Sequence, residues 1–258
     1  KYYDLYDMFK NVVGSNDPKY TQQSEEGDTY NFLPVRKLSV PVDLNTVRNN
    51  GTVHAGDSVV SELHLDINPK KNYLFKNELA VLALIAANKW QRPICFNSTY
   101  ELEDLGLAKY IRQDGLAGRL VPVEGKNLNM GFYNNDLAYK NMMTKFSFGS
   151  ANIPGVYFDE ENRRHLLTIR QAYASAAQSM ADDGRKEESK KLLEKCDKGV
   201  TPVDMPYGLV SRGNQHNIIS ISMLEAAYKA GYTELSDRIS RDVKKDIDQQ
   251  MIYYAALG

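Results

Sequence analysis

Cysteine is almost missing from this sequence, with Cys95 and Cys196 the two thiols in 258 residues, far apart and each set in an apolar pattern. A disulfide scaffold is therefore excluded, and the pair reads as two buried free thiols, with a mutual bridge as the alternative. Charge of one sign is equally absent. Basic residues number 32 and acidic ones 33, for a net charge of -1, so the electrostatic footprint needed to hold a phosphate backbone is lacking and nucleic acid is not expected as a partner. The longest strongly apolar run, residues 79–87, is nine residues, about half of the roughly 20 that a membrane-spanning helix needs. There is no initiating Met and no signal-peptide pattern, since Lys1 opens directly onto Tyr2-Tyr3-Asp4-Leu5-Tyr6; the chain reads as an excised piece.

Catalytic signatures are missing too. His54, His64, His165 and His216 form no pair with metal-ligand spacing, and none neighbours a cysteine, so neither a metal nor another cofactor is expected. The run Asp159-Glu160-Glu161 imitates a carboxylate pair, but it stands just before a helix, where Asp caps free N–H groups and Glu complements the dipole. Ser98 and Ser211 sit in no nucleophile elbow, and no glycine-rich phosphate loop follows a strand. No catalytic residue is assigned.

What is present is an ordinary folded composition, 42% hydrophobic and 25% charged, at a length that suits one large domain or two smaller ones. The expected class is α+β, with a small α/β domain over residues 1–130 followed by an α-helical, tetratricopeptide-like domain over residues 131–258. Turn residues at 14–18 and 24–28 make the first 50 residues a loosely structured lead-in. Leu38-Ser39-Val40-Pro41-Val42 alternates as a strand that Pro41 would confine to an edge, and Asp43 can cap a short helix through Arg48. Leu63, Leu65 and Ile67 alternate next. An apolar helix over about 75–90 and the short strand Arg92-Pro93-Ile94-Cys95-Phe96 follow, which together spell a βαβ unit. A helix over 102–111 and a strand over 120–123 would extend it.

After Gly131 the apolar period becomes 3.6. Tyr139, Met142, Met143 and Phe146 make one stripe, and Leu166, Ile169, Tyr173, Ala176, Ala177 and Met180 make a longer one. Gly184 ends that helix and Gly231 ends a later one, and each glycine is followed five residues on by a serine, Ser189 and Ser236. A left-handed glycine and then a small residue that lets the second helix pack closely is the pattern of tetratricopeptide-like hairpins. The two copies lie 47 residues apart rather than about 34, so residues 199–214 form an insertion, and the groove of the repeats is at risk of being filled by the chain itself.

Two groups of side chains stand out as binding candidates. Asn88-Lys89-Trp90-Gln91-Arg92-Pro93 carries the single Trp at a helix end, and Trp90 beside Arg92 suits a binding hot spot or, equally, the closing of a core edge. Tyr157, Arg163 and Arg170 could line a groove on the repeats, although an amphipathic helix needs such a solvated face in any case.

Four blocks carry a resemblance: Phe32-Leu33-Pro34-Val35-Arg36-Lys37 with Val40-Pro41-Val42-Asp43; Asn88 to Ile94; Gly115-Leu116-Ala117-Gly118-Arg119-Leu120-Val121-Pro122; and Gly155-Val156-Tyr157-Phe158-Asp159-Glu160. They resemble the soluble C-terminal region of a family of large bacterial membrane proteins of unknown function, whose N-terminal half is similar to the multispanning protein O-mannosyltransferases. An acidic residue is commoner in that family at Gln91, and aromatics are commoner at Cys95 and Gly118, which marks a divergent member. The resemblance implies that any sugar-transfer site lies in a membrane half. It implies also that this region is extracytoplasmic, on the periplasmic face of the bacterial inner membrane. Its partners would then be its own membrane-spanning half and an acceptor protein or peptide, and its role that of an accessory or acceptor-recognition domain, not catalytic by itself. A structural interaction module with no transferase activity is the alternative.

Overall fold

The computed structural model of the protein describes residues 1–15, 17–98, 102–125 and 132–257, so the boundary expected at Gly131 lies outside the described residues. The chain divides into two units, Lys1–Gln113 with Ala117–Phe132, and Asp114–Leu116 with Tyr133–Gly258.

In the first unit the order is β1 (Tyr3–Asp4), α1 (Leu5–Met8), β2 (Thr21–Gln23), β3 (Thr29–Asn31), β4 (Lys37–Pro41), α2 (Leu44–Asn49), β5 (Glu62–Asp66), α3 (Lys76–Asn88), β6 (Cys95–Phe96), β7 (Ile111–Gln113), β8 (Gly118–Leu120) and β9 (Phe132–Tyr133). One sheet has the order β1-β4-β5, a second is the β2-β3 hairpin, and a third runs β6-β8-β7-β9. Alternation places Leu38 and Val40 of β4 opposite Leu65 and Leu63 of β5. All four are buried in a core shared with Leu82, Ile85 and Ala86 of α3.

Four local expectations are corrected. The first residues are core rather than a loose lead-in: Leu5, Met8 and Val12, at helical spacing through α1 and the π-turn Phe9–Val13, are buried in the same cluster. β4 is central, not an edge. Pro41 is tolerated because it ends the strand, and β1 pairs only with Leu38 and Ser39, so its missing N–H is not needed on that side. β5 and β6 belong to different sheets, and both pair antiparallel, so no βαβ unit forms. No α-helix covers 102–111. Gly106 adopts φ +71°, where a Cβ would press on the backbone of Asp66, and the chain turns into a short 3-10 helix, Ala108–Tyr110, before β7. The expected cap is present, with Asp43 Oδ1 accepting from the N–H groups of Asn45 and Thr46.

The second unit is helical: α4 (Asn135–Thr144), α5 (Glu160–Asp182), α6 (Lys186–Gly199), α7 (Gln215–Ala230) and α8 (Thr233–Ala256). With the sheets of the first unit this makes the chain α+β. The α5–α6 and α7–α8 hairpins repeat each other down to their caps. Gly184 (φ +80°) and Gly231 (φ +70°) are both left-handed. The N–H of Arg185 reaches the Met180 carbonyl as that of Tyr232 reaches Ala227, each at 2.8 Å. Ser189, fully buried, donates its hydroxyl to the Ala177 carbonyl across the hairpin at 2.7 Å, so a small residue is required there. Asp159 caps α5 by accepting from the Asn162 N–H at 2.8 Å. Lys195 caps α4 from outside, its ammonium donating to the carbonyls of Met142, Met143 and Phe146.

Candidate binding site

At the end of α3 two successive non-glycine residues, Lys89 (φ 48°) and Trp90 (φ 64°), take left-handed backbone. Such a residue costs about 1–2 kcal/mol, and paired outliers persist only where the surroundings impose them. Here the surroundings do. The Asn88 carboxamide bridges the N–H and carbonyl of Arg92 at 2.9 Å each. Asn50 Nδ2 donates to the Trp90 carbonyl at 2.6 Å, while its Oδ1 accepts from the Thr52 N–H and hydroxyl. The Trp90 indole, 8% exposed, donates to the Pro41 carbonyl at 2.9 Å. The turn thus drives the ring inward and swings Lys89 outward, with its ammonium 4.4 Å from the centre of the Tyr6 ring.

Between these groups lies a cavity of about 620 Å3. Leu5, Val40, Ile85, Ala86 and Trp90 give it a buried apolar floor, Tyr6 and Val42 form walls, and Asp4, Asp7, Asp43 and Lys89 supply its polar lining. The size falls in the range of small-ligand and side-chain pockets, about 300–1,000 Å3. Two of its carboxylates are already engaged. Asp4 accepts from the Asp7 N–H at 2.8 Å, and Asp43 serves as the α2 cap, where the Thr46 hydroxyl and backbone hold its carboxyl below the usual carboxylate range. Arg92 is exposed and lines with Trp90 a void of about 10 Å3. Lys89 stands within the cluster that the sequence singles out, whereas Tyr6 escaped the sequence reading; the aromatic stretch at residues 2–6 is the signal for it.

The second unit has a different polar centre. Arg170, 1% exposed on α5, donates to the carbonyls of Met205 and Pro206, and its guanidinium lies 4.8 Å from the Tyr207 ring centre. Burial lowers its pKa. The Tyr207 hydroxyl donates to Asp197, which also accepts from Arg238, both at 2.6 Å. His216 Nε2 meets the Pro206 carbonyl at 2.6 Å and must donate there; Ser220 donates to the Tyr207 carbonyl at 2.7 Å. Gly208 lies so close to α8 that a Cβ would overlap the Asp242 carbonyl. The insertion is therefore a wedge inside the repeats, with its backbone satisfied by α5 and α7. Sequence reading missed Tyr207, Asp197 and Arg238, and also the role of Arg170, His216 and Ser220 as the donors that an insertion with buried carbonyls demands.

The remaining candidates are not gathered at one point. Tyr157 is 83% exposed before α5, Arg163 is exposed on its first turn, and Arg170 is closed off from solvent. Cys196 is buried, which pushes its thiol up to about 12, whereas Cys95 is exposed, so the expectation of two buried thiols holds for one; both are free. Among the described residues no group of three or more His, Cys, Asp or Glu is placed to hold a metal ion, and no helix is long and apolar enough to cross a membrane.

No curated protein and no solved structure matches the chain. A family model described as TMEM260-associated domain 2 matches residues 1–137, the stretch that contains the Trp90 turn and its cavity. The chain belongs to this TMEM260-associated family, and so to a membrane-associated family of proteins.

Proposed function

We propose that this chain is the extracytoplasmic accessory domain, specialised for acceptor recognition, of a membrane-bound glycosyltransferase-like protein, and that it is not catalytic by itself. Family membership supplies the membrane context. The sequence blocks supply the likeness to a glycosyltransferase, with the domain on the periplasmic face and the protein's own membrane-spanning half as one partner. The observation that carries the reading is the Trp90 cavity. Its walls are apolar and aromatic, and Asp4 and Asp43 are held by backbone N–H groups, so it offers shape and apolar contact rather than a poised acid and base. A strained turn beside a cavity is the kind of feature retained for a function rather than for stability.

Expression of the full-length protein in membranes, with and without residues 1–258, tests this. Acceptor glycosylation is expected to fall sharply in the truncated form while sugar-donor binding persists; equal transfer by both forms contradicts it. The rival, a structural interaction module with no transferase activity, gains support from one feature: the interior of the repeats is occupied by their own insertion, held by Arg170. A stable partner complex without sugar-related activity would favour it.

A further inference from the structure

The first unit holds a second cavity, of about 580 Å3, which shares no lining residue with the Trp90 cavity. Its floor is aliphatic, with Ile67 buried and Val13, Val35 and Leu79 half-buried. Its charged lining is of one sign. Arg36 and Lys71 belong to it and no carboxylate does, Glu25, Glu26 and Asp28 of the β2–β3 turn standing outside it. Lys71 is already matched, by the buried Glu78 at 2.8 Å and by Asp104 at 3.8 Å. Arg36 is not. Its Nη1 donates to the carbonyls of Asn68 at 3.0 Å and Lys71 at 2.6 Å, and no carboxylate among the described residues pairs with it. Its charge and the rest of its N–H donors remain for a ligand.

Two elements wall this cavity, and core packing does not account for what they display. The β2–β3 hairpin is a sheet to itself, and none of its strand residues is buried; such a hairpin is marginal alone. It is tied down by the Asn31 side chain, which donates to the Ser15 carbonyl at 2.8 Å, and by the Phe32 N–H, which donates to the Tyr20 carbonyl. Its register sets Gln22 directly across from Tyr30, and both face the cavity. The other wall is the loop before α3, fixed by Arg36 and by Glu78, which accepts from the Phe75 N–H at 2.7 Å. This loop holds the Tyr73 ring edge-on to Phe75 and 67% exposed, against 49% for Tyr30. Exposed tyrosines and an arginine around an apolar floor, with Asp and Glu left out, are the composition of a protein-binding hot spot. The floor also decides against a sugar, whose hydroxyls would lie unpaired on Ile67 and Val35. It suits an apolar side chain, and a carboxylate next to that side chain would meet Arg36.

We propose that the cavity between the β2–β3 hairpin and the loop before α3 is a docking site for an acidic peptide segment, an apolar side chain beside a carboxylate, independent of the Trp90 cavity. Selection of a random peptide library, displayed on phage, against residues 1–258 tests it. The enriched peptides are then synthesised and titrated by fluorescence anisotropy, with the Trp90 denaturation transition as the folding control. Enriched sequences are expected to share an aliphatic or aromatic residue next to Asp or Glu. Tyr30→Ala and Tyr73→Ala, both at exposed positions, are each expected to weaken binding at least about tenfold. Arg36→Gln is expected to do the same, with Arg36→Lys restoring part of the loss, whereas Tyr6→Ala in the other cavity leaves binding unchanged. No enriched sequence, or one without a carboxylate, overturns the proposal. So does binding that folded Tyr30→Ala and Tyr73→Ala retain or that Tyr6→Ala abolishes. Mannotriose shifting the tyrosine ring protons of the wild-type chain but not of Tyr73→Ala, with no peptide enriched, would assign the cavity to a sugar and overturn it too.

Discussion

The two units solve the same problem, how to bury a polar backbone in a modest core, by opposite means. In the second, regular helices satisfy their own backbones, small residues at Ser189, Ala177 and Ala227 bring them close, and the irregular stretch after α6, residues 200–214, is pinned by side chains from α5 and α7. In the first, strands are short, sheets are three, and loops are held one at a time by Asn50, Asn88 and Trp90. The irregular unit keeps the space beside Trp90, about 620 Å3 with a buried apolar floor, while the helical one offers a more open hollow of about 420 Å3 beside Met143, Phe148 and Lys195. The comparison is convenient to probe because the only Trp lies in the first unit and five long helices lie in the second, so indole fluorescence and helical dichroism report them separately.

The sharpest break is Arg170→Leu. Three groups lose their partner at once, the carbonyls of Met205 and Pro206 and the face of Tyr207. A loss of about 3–4 kcal/mol is expected, read as a shift of the dichroism transition in denaturant with the Trp90 fluorescence transition in place. Its mirror image is Asn50→Ala, which frees the Trp90 carbonyl and the Thr52 hydroxyl. About 2 kcal/mol should be lost, in the fluorescence transition and not in the dichroism. Lys89→Gly sharpens the argument about strain. Glycine accepts φ 48° without penalty, so the first unit should gain about 1 kcal/mol despite losing the contact with Tyr6; a loss of stability would show that the turn is relaxed.

The smallest effect concerns pH. Burial, with help from Arg170 and Arg163 and against the hydrogen bond to the Pro206 carbonyl and the pull of Asp246, holds the His216 imidazole below its ordinary pKa of 6.5. The unfolded chain then binds the proton more readily than the folded one. The stabilisation is complete above about pH 6.5 and fades as pH falls toward the folded value. His216→Gln, which can still donate to Pro206, should flatten that part of the dichroism midpoint's pH profile between about pH 7 and pH 5. An unchanged profile would assign the slope to other groups.

How much of this was legible follows the same division. The hairpins could be read from the sequence because a left-handed glycine and a packed serine leave fixed marks at Gly184, Ser189, Gly231 and Ser236. Arg170 could not be placed, since an arginine on an amphipathic stripe looks solvated until the insertion that needs its donors is folded beneath it. The Trp90 turn was hidden for a related reason: its backbone is left-handed without a glycine, imposed by Asn50, 40 residues away. The helix expected over 102–111 failed because Gly106 answers to the backbone of Asp66, a contact that no local propensity contains.

The claim that the first unit receives an acceptor is most directly tested by Tyr6→Ala in the full-length protein, since Tyr6 walls the cavity yet is exposed enough for the fold to survive its loss. Transfer kinetics in membranes should show a KM for the acceptor raised roughly tenfold with kcat little changed, the mark of lost uniform binding. An unchanged KM, with the variant folded, would contradict the account.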